Sequence, residues 1–140
     1  MSTILVVDDH ELTRKTLYRR LKKAGYVVFE APNAKSGIKL LQSQTIDLIL
    51  MDFMMKNMNG MQTFEKMKEL KPEVPCAMIT AYAHSGLIKQ FMAEGGVDFM
   101  IKPIGEDFET RVSALLQGKD NPAESEENRA DESEEGSPPD

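Results

Sequence analysis

An α/β fold, a parallel sheet covered by helices on both faces, is the class this sequence predicts, and three observations predict it. Short apolar runs alternate with amphipathic stretches five times, the run coming first each time. The runs are mostly rich in Val, Ile, Leu, Met or Phe, as strands buried on two faces should be. At 140 residues and 41% hydrophobic content, the chain can fill one core and is expected to hold no second catalytic or DNA-binding domain.

The strands are expected at Ile4–Val7, Val27–Glu30, Leu48–Met51, Ala77–Thr80 and Phe99–Ile101. The first helix should run from about His10 to Ala24, with Leu17, Leu21 and Ala24 on one face, Arg and Lys on the other, and Gly25 as its stop. The second follows Asn33, an N-cap residue type, and buries Ala34, Ile38 and Leu41. Helix three spans about Gly60 to Leu70 with Met61, Phe64 and Met67 inward, ending before Pro72 because the residue ahead of a proline avoids the helical region. Helix four covers about Ser85 to Glu94 and closes at Gly95-Gly96. In helix five Phe108, Val112 and Leu115 form an apolar stripe, with Glu106 and Asp107 near the positive N-terminus.

The formal charge of −6 is unevenly placed. Residues 118–140 hold nine acids against Lys119 and Arg129, a net of −7, which leaves 14 acids and 15 bases, a net of +1, in residues 1–117. A near-neutral body with scattered bases argues against direct nucleic-acid binding, which needs a clustered basic face. The segment 118–140 lacks aromatic and β-branched residues, so we expect an acidic disordered tail behind a domain of residues 1–117. Cys76 is the only cysteine and sits in an apolar run, which excludes an internal disulfide and reads as a small buried thiol. The N-terminus has no basic start, and its apolar run is too short for a signal peptide or a membrane span, so a cytoplasmic protein is expected.

In open α/β sheets ligands bind at the carboxyl ends of the strands. Here those ends are polar: Asp8-Asp9 after the first run, Asp52 after the third, Thr80 at the fourth, Lys102-Pro103 after the fifth. Taken singly each has a bland reading, Asp9 as a helix N-cap and Lys-Pro as a turn. Together they converge on one edge. Three carboxylates brought together repel unless a cation joins them, and hard oxygen ligands favour Mg²⁺. A carboxylate can accept a phosphoryl group, a lysine can pair with its oxygens, and a threonine hydroxyl can donate to one of them. The set describes a phosphoryl-transfer site.

The segments Leu5-Val6-Val7-Asp8-Asp9, Leu50-Met51-Asp52-Phe53-Met54-Met55, Ile79-Thr80-Ala81 and Phe99-Met100-Ile101-Lys102-Pro103 resemble the receiver domain of bacterial response regulators, over residues 1 to about 117. The resemblance implies a flavodoxin-like doubly wound sheet of strand order 2-1-3-4-5 with five helices. It implies Asp52 as phosphoacceptor and Asp8, Asp9, Asp52 and the Met54 backbone carbonyl as the Mg²⁺ site. It also implies Thr80, Phe99 and Pro103 as switch residues, with Lys102 contacting the phosphoryl group after a cis Lys102–Pro103 bond. The partners implied are a histidine kinase or phosphotransfer protein, and a downstream protein at the face of helix four, strand five and helix five. Such a single-domain regulator is a signalling protein with self-catalysed phosphotransfer and slow self-dephosphorylation, not a metabolic enzyme, and is a monomer or weak homodimer. A relay role, Asp52 passing its phosphoryl group onward, is equally compatible.

The sequence departs from the family where many receivers have a proline four residues after the phosphoacceptor. Lys56 stands there, followed by Asn57-Met58-Asn59-Gly60, so a more mobile loop is expected. Met54 and Tyr82 hold the positions that flank the hydrolytic water in similar proteins, and neither orients water, so slow hydrolysis is expected. Met55 or Met58 is a candidate for exposure to a partner, and Phe91, Met92 and Met100 for an exposed patch. His10 and His84 are expected at exposed helix starts. The competing readings are a non-phosphorylated scaffold, a Mg²⁺-dependent aspartyl phosphatase, which needs a second carboxylate where Met54 stands, and a flavin or nucleotide carrier. The last needs a phosphate cradle where Asp8-Asp9-His10-Glu11 is acidic.

Overall fold

The computed structural model describes residues 1–56, 59–82 and 84–118. The expected acidic tail and the residues Asn57 and Met58 of the proline-less loop therefore lie outside the described residues. The chain alternates β1 (Thr3–Val7), α1 (Glu11–Lys23), β2 (Val27–Ala31), α2 (Ala34–Ser43), β3 (Leu48–Asp52), α3 (Gly60–Leu70), β4 (Cys76–Thr80), α4 (Ser85–Ala93), β5 (Asp98–Ile101) and α5 (Phe108–Leu116). All strand pairs are parallel, in the order β2-β1-β3-β4-β5, the doubly wound arrangement expected.

Two apolar layers sandwich the sheet because alternate residues of each strand point to opposite faces. Leu5, Val7, Ile49, Met51 and Met78 meet Leu41 of α2, Phe64 and Met67 of α3 and Phe91 of α4. Ile4, Val6, Leu48, Leu50 and Ile79 meet Leu17 and Leu21 of α1 and Phe108, Val112 and Leu115 of α5. Phe91 is fully buried and sets its ring edge-on to Phe53, with centroids 5.0 Å apart at 79°. Such a pair adds about 0.5–1.5 kcal/mol beyond area burial. Gly60, the first residue of α3, is needed there: a Cβ would stand 2.7–2.8 Å from the Phe53 ring.

Helix starts follow local polar chemistry. Asn33 and Asn59 accept from the backbone N–H of Ser36 and Gln62. α1 and α4 are capped by the chain's two histidines, His10 Nδ1 accepting from Thr13 N and His84 Nδ1 from Leu87 N. Asp9 is thus not the cap of α1, and its carboxylate is left for other partners. α1 ends at Gly25 in the left-handed region, φ +101°, where glycine has no Cβ penalty. That turn carries Ala24 into solvent, so α1 buries Leu17 and Leu21 but not Ala24. In α2 Leu41 is buried while Ala34 and Ile38 are half-buried, with Gly37 taking the innermost place.

α1 is fastened to α5 by Arg20. Its guanidinium donates to both Glu109 carboxylate oxygens at 2.6 and 2.7 Å and to the Gly105 carbonyl at 2.9 Å, while lying over the Phe108 ring. α5 is tied to β5 by Arg111, which donates to the Asp98 carboxylate and, at 2.9 Å, to the Phe99 carbonyl. Among the described residues no helix is long and apolar enough to cross a membrane.

Candidate functional site

Strand register brings the polar strand ends together. Val7 pairs with Met51, so Asp8 and Asp52 stand on the next rung side by side, and Thr80 pairs with Ile101, so Lys102 is one rung beyond. Carboxylate oxygens of Asp8, Asp9 and Asp52 lie within 4.8 Å of one another. Asp8 is 1% and Asp52 5% exposed.

Each carboxylate has a different set of partners. Asp52 Oδ1 accepts from Met54 N at 2.8 Å, and its Oδ2 accepts from Lys102 Nζ at 2.8 Å. Asp8 Oδ1 accepts from His10 N at 2.9 Å. Its Oδ2 lies 2.9 Å from Lys102 Nζ, an ion-pair contact, yet this buried atom has no hydrogen bond of good geometry. Asp9 Oδ2 accepts from Lys56 N at 2.9 Å, which ties the loop after Asp52 to the end of β1. Thr80 Oγ1 accepts from Tyr82 N at 3.1 Å. Lys102 is anchored through its backbone N–H on the Thr80 carbonyl at 2.8 Å, and the Lys102–Pro103 peptide is cis.

Burial pushes the Asp8 carboxyl above the ordinary carboxylate range, and the His10 N–H and Lys102 only partly offset it, with Asp52 adding repulsion. Burial works against the Lys102 ammonium, but its contacts with Asp52 and Asp8 outweigh that and hold its pKa above the ordinary lysine value. With all groups ionised, three carboxylates and one ammonium sum to a net of −2 at the strand ends. The oxygen donor set, the net charge and an Asp8 Oδ2 that is ion-paired but lacks a directed hydrogen bond fit a small divalent cation.

Asp8, Asp9, Asp52 and Lys102 are brought together, with Thr80 at the next strand end. Phe99 is half-buried against the α2–α4 core layer. Met54 and Tyr82, at 53% and 56% exposure, stand open to solvent beside Asp52 and Thr80. Of the five apolar residues considered for exposure, three are buried, one is half-buried and one lies outside the described residues. Met55 is buried, and Met58 is outside the described residues. Phe91 and Met100 are buried and form no exposed patch; Met92 is half-buried. Arg14 is a residue the sequence reading missed: its guanidinium donates to the Asp8 carbonyl at 2.8 Å and to Glu30 at 3.0 Å, bracing the acidic turn from α1 and β2. The signal lay in an arginine in the first turn of α1 with an acid on the neighbouring strand.

A sequence profile of the response regulator receiver domain matches residues 4–112. The chain belongs to this family. Receiver domains are in general signalling rather than enzymatic units. This receiver is 32% identical over 102 residues to a cyclic di-GMP phosphodiesterase of Thermotoga maritima, covering 73% of this chain and 27% of that protein. It is 31% identical over 121 residues to the transcriptional regulatory protein GlrR of Escherichia coli, covering 86% and 26%. With the alkaline phosphatase synthesis transcriptional regulatory protein PhoP of Bacillus subtilis it shares 30% identity over 132 residues, covering 94% and 55%. The chain thus spans between about a quarter and about half the length of these relatives.

Among solved structures, the receiver resembles a CheY-like receiver domain from Methanospirillum hungatei with a TM-score of 0.81 at 25% identity, covering 84% of this chain and 95% of that one. A response regulator from Burkholderia pseudomallei, with a phosphorylated aspartic acid, a calcium ion and citrate, matches at 0.77 and 26%, covering 98% and 76%. TrrA from Thermotoga maritima, in complex with Mg²⁺-BeF, matches at 0.73 and 25%, covering 83% and 99%.

Proposed function

We propose that residues 1–117 form a phosphoacceptor unit in which Asp52 takes a phosphoryl group from a histidine kinase or histidine phosphotransfer protein in the cytoplasm. The convergence of Asp8, Asp9 and Asp52, two of them ion-paired with Lys102, with one buried carboxylate oxygen left without a directed donor, is the observation that carries this reading. Asp8, Asp9, Asp52 and the Met54 carbonyl would hold Mg²⁺. Bound there, the ion supplies neutralisation of the charge that develops on the transferring group.

In the transfer the Asp52 carboxylate forms a P–O bond as the P–N bond to the donor imidazole breaks, and the bonding pair leaves with the imidazole, which takes up a proton. Lys102, already bonded to Asp52 Oδ2, passes to a phosphoryl oxygen and keeps its charge paired. The Thr80 hydroxyl, held by Tyr82 N–H, turns to donate to another phosphoryl oxygen, and Phe99 and the Lys102–Pro103 turn follow. The output is a change in affinity for a partner protein at the face of α4, β5 and α5, where Arg111 links α5 to Asp98 and the Phe99 carbonyl. Hydrolysis ends the signal: a water oxygen attacks phosphorus and the Asp52 carboxylate leaves.

The test is intact-protein mass after incubation with acetyl phosphate, with and without Mg²⁺, on the natural sequence and on Asp52→Ala. One metal-dependent phosphoryl adduct that vanishes in the variant is the expected result. A folded protein that gains no adduct would overturn the proposal in favour of a non-phosphorylated scaffold.

A further inference from the structure

α1 is the most one-sided helix of the chain. Glu11 stands against Arg14, Lys15, Arg19, Arg20, Lys22 and Lys23. Bases in the last turn are favourable at a helix C-terminus, and half of the six are matched: Arg14 and Lys15 pair with Glu30, Arg20 with Glu109. Arg19, Lys22 and Lys23 are exposed and have no ion pair among the described residues. At i, i+3 and i+4 they share one face. Lys23 also lines a groove of about 400 Å³ with Arg20, Ala24 and Glu109, running between α1 and α5. By contrast, the lysines of α3 are interleaved with Glu65 and Glu69 on their own helix.

The chain itself contains the complementary charge. α5 lies beside α1 through the Arg20–Glu109 bonds. Both helices run from the carboxyl ends of the strands back to the opposite end of the sheet, and Leu116 and Tyr26 close the same apolar layer there. Glu109, in the first turn of α5, lines a groove with Lys23 and Ala24 at the end of α1, and Gly118 follows nine residues further on, just past the end of α5. Residues 119–140 follow with nine acids and two bases. Their full reach, roughly 70 Å at about 3.3 Å per residue, exceeds the length of α1, about 20 Å at 1.5 Å per residue.

We propose that the acidic segment 119–140 docks on its own domain, along the basic face formed by Arg19, Lys22 and Lys23 of α1. A tethered segment meets its target at an effective concentration on the order of 1 mM, so a contact with a Kd near that value is already about half populated. The docked segment masks the one strongly basic helix face from other anionic macromolecules.

Backbone amide shifts in the full chain test this. The tail variant Glu126→Gln, Glu127→Gln, Asp131→Asn, Glu132→Gln, Glu134→Gln, Glu135→Gln is expected to move amides around Arg19 to Gly25 while leaving those of α3 in place. Raising salt on the natural sequence should reproduce the same pattern, since screening tightens from about 10 Å at 0.1 M to about 3 Å at 1 M. In an Arg19→Gln, Lys22→Gln, Lys23→Gln background the tail variant should produce no difference. Unmoved α1 amides in the tail variant, or shifts spread equally over α3, overturn the proposal. A pattern that fades on dilution also overturns it, because the acidic segment then belongs to a second copy.

Discussion

Replacing Lys102 with alanine removes the ammonium that lies 2.8–2.9 Å from two buried carboxylates. Asp8 and Asp52, 1% and 5% exposed, then face each other and Asp9 without it. Removing one partner of a buried ion pair costs about 3–5 kcal/mol, because the remaining charge stays desolvated. Lys102 keeps 14% exposure, which lets water reach the vacated place and puts the loss at the low end, ~3 kcal/mol. For a domain of this size the corresponding drop in Tm is roughly 10 °C. A divalent cation acts on the same repulsion. At a hundred times its Kd it adds about 2.7 kcal/mol to the folded state, and in the variant it no longer competes with a lysine for the carboxylates. Urea unfolding at neutral pH, followed by far-ultraviolet circular dichroism in EDTA and in saturating Mg²⁺, therefore should show a large gap between natural and variant protein without metal and a narrowed gap with it. The half-saturating Mg²⁺ concentration should be lower for the variant. A loss in EDTA under about 1 kcal/mol, the worth of an exposed ion pair, or a gap indifferent to Mg²⁺, would refute the reasoning.

Three further outcomes are expected. Burial of Glu30 acts to raise its pKa, but hydrogen bonds from Lys15 and Arg14 prevail and hold it below the ordinary 4.5. Its contribution is therefore present above 4.5 and lost as pH falls through the lower folded value; Glu30→Gln should cost about 1–2 kcal/mol at neutral pH and nothing in strong acid, and an equal cost in both would contradict the assignment. Met54→Asn places an amide that can orient water beside Asp52, so the half-life of the phosphorylated protein should shorten by roughly tenfold, about 1.4 kcal/mol of barrier; decay followed by mass spectrometry that is unchanged or slower removes the rationale. Phe91→Ala deletes a fully buried ring from the edge of Phe53 and should cost about 3–5 kcal/mol in denaturant unfolding, with a value below about 2 kcal/mol pointing to a core that collapses around the gap.

Elements whose residues obey a single period were legible in the sequence. β3, with all five residues buried, and α3, with Met61, Phe64 and Met67 inward, stand where the apolar pattern placed them. Asp8, Asp9, Asp52, Thr80 and Lys102 could be found because a strand end is a fixed point: the apolar run stops and the next polar residue faces the sheet edge. What sequence did not disclose was decided by contacts between distant segments. Ala24 fits the stripe of Leu17 and Leu21 but is swung outward by the turn at Gly25. Met55 and Met100, apolar residues beside functional positions, were readable either as core or as surface until packing buried them. The Arg111 clamp on Asp98 and the Arg14 brace on Asp8 join residues on different elements, and no periodicity encodes such a pairing. Asp9 and His10 are both chemically able to cap α1, and only the backbone path chose the imidazole.

That choice has a thermodynamic side. His10 and His84 serve α1 and α4 as hydrogen-bond acceptors through Nδ1, the task that Asn33 and Asn59 perform for α2 and α3 through an amide oxygen. An N-cap is worth about 0.5–2 kcal/mol. Each cap sits directly behind a polar strand end, His10 after the Asp8-Asp9 turn and His84 beyond Thr80 at the end of β4. Two strand ends of the site are in this sense held from behind, each by the first turn of the helix it leads into.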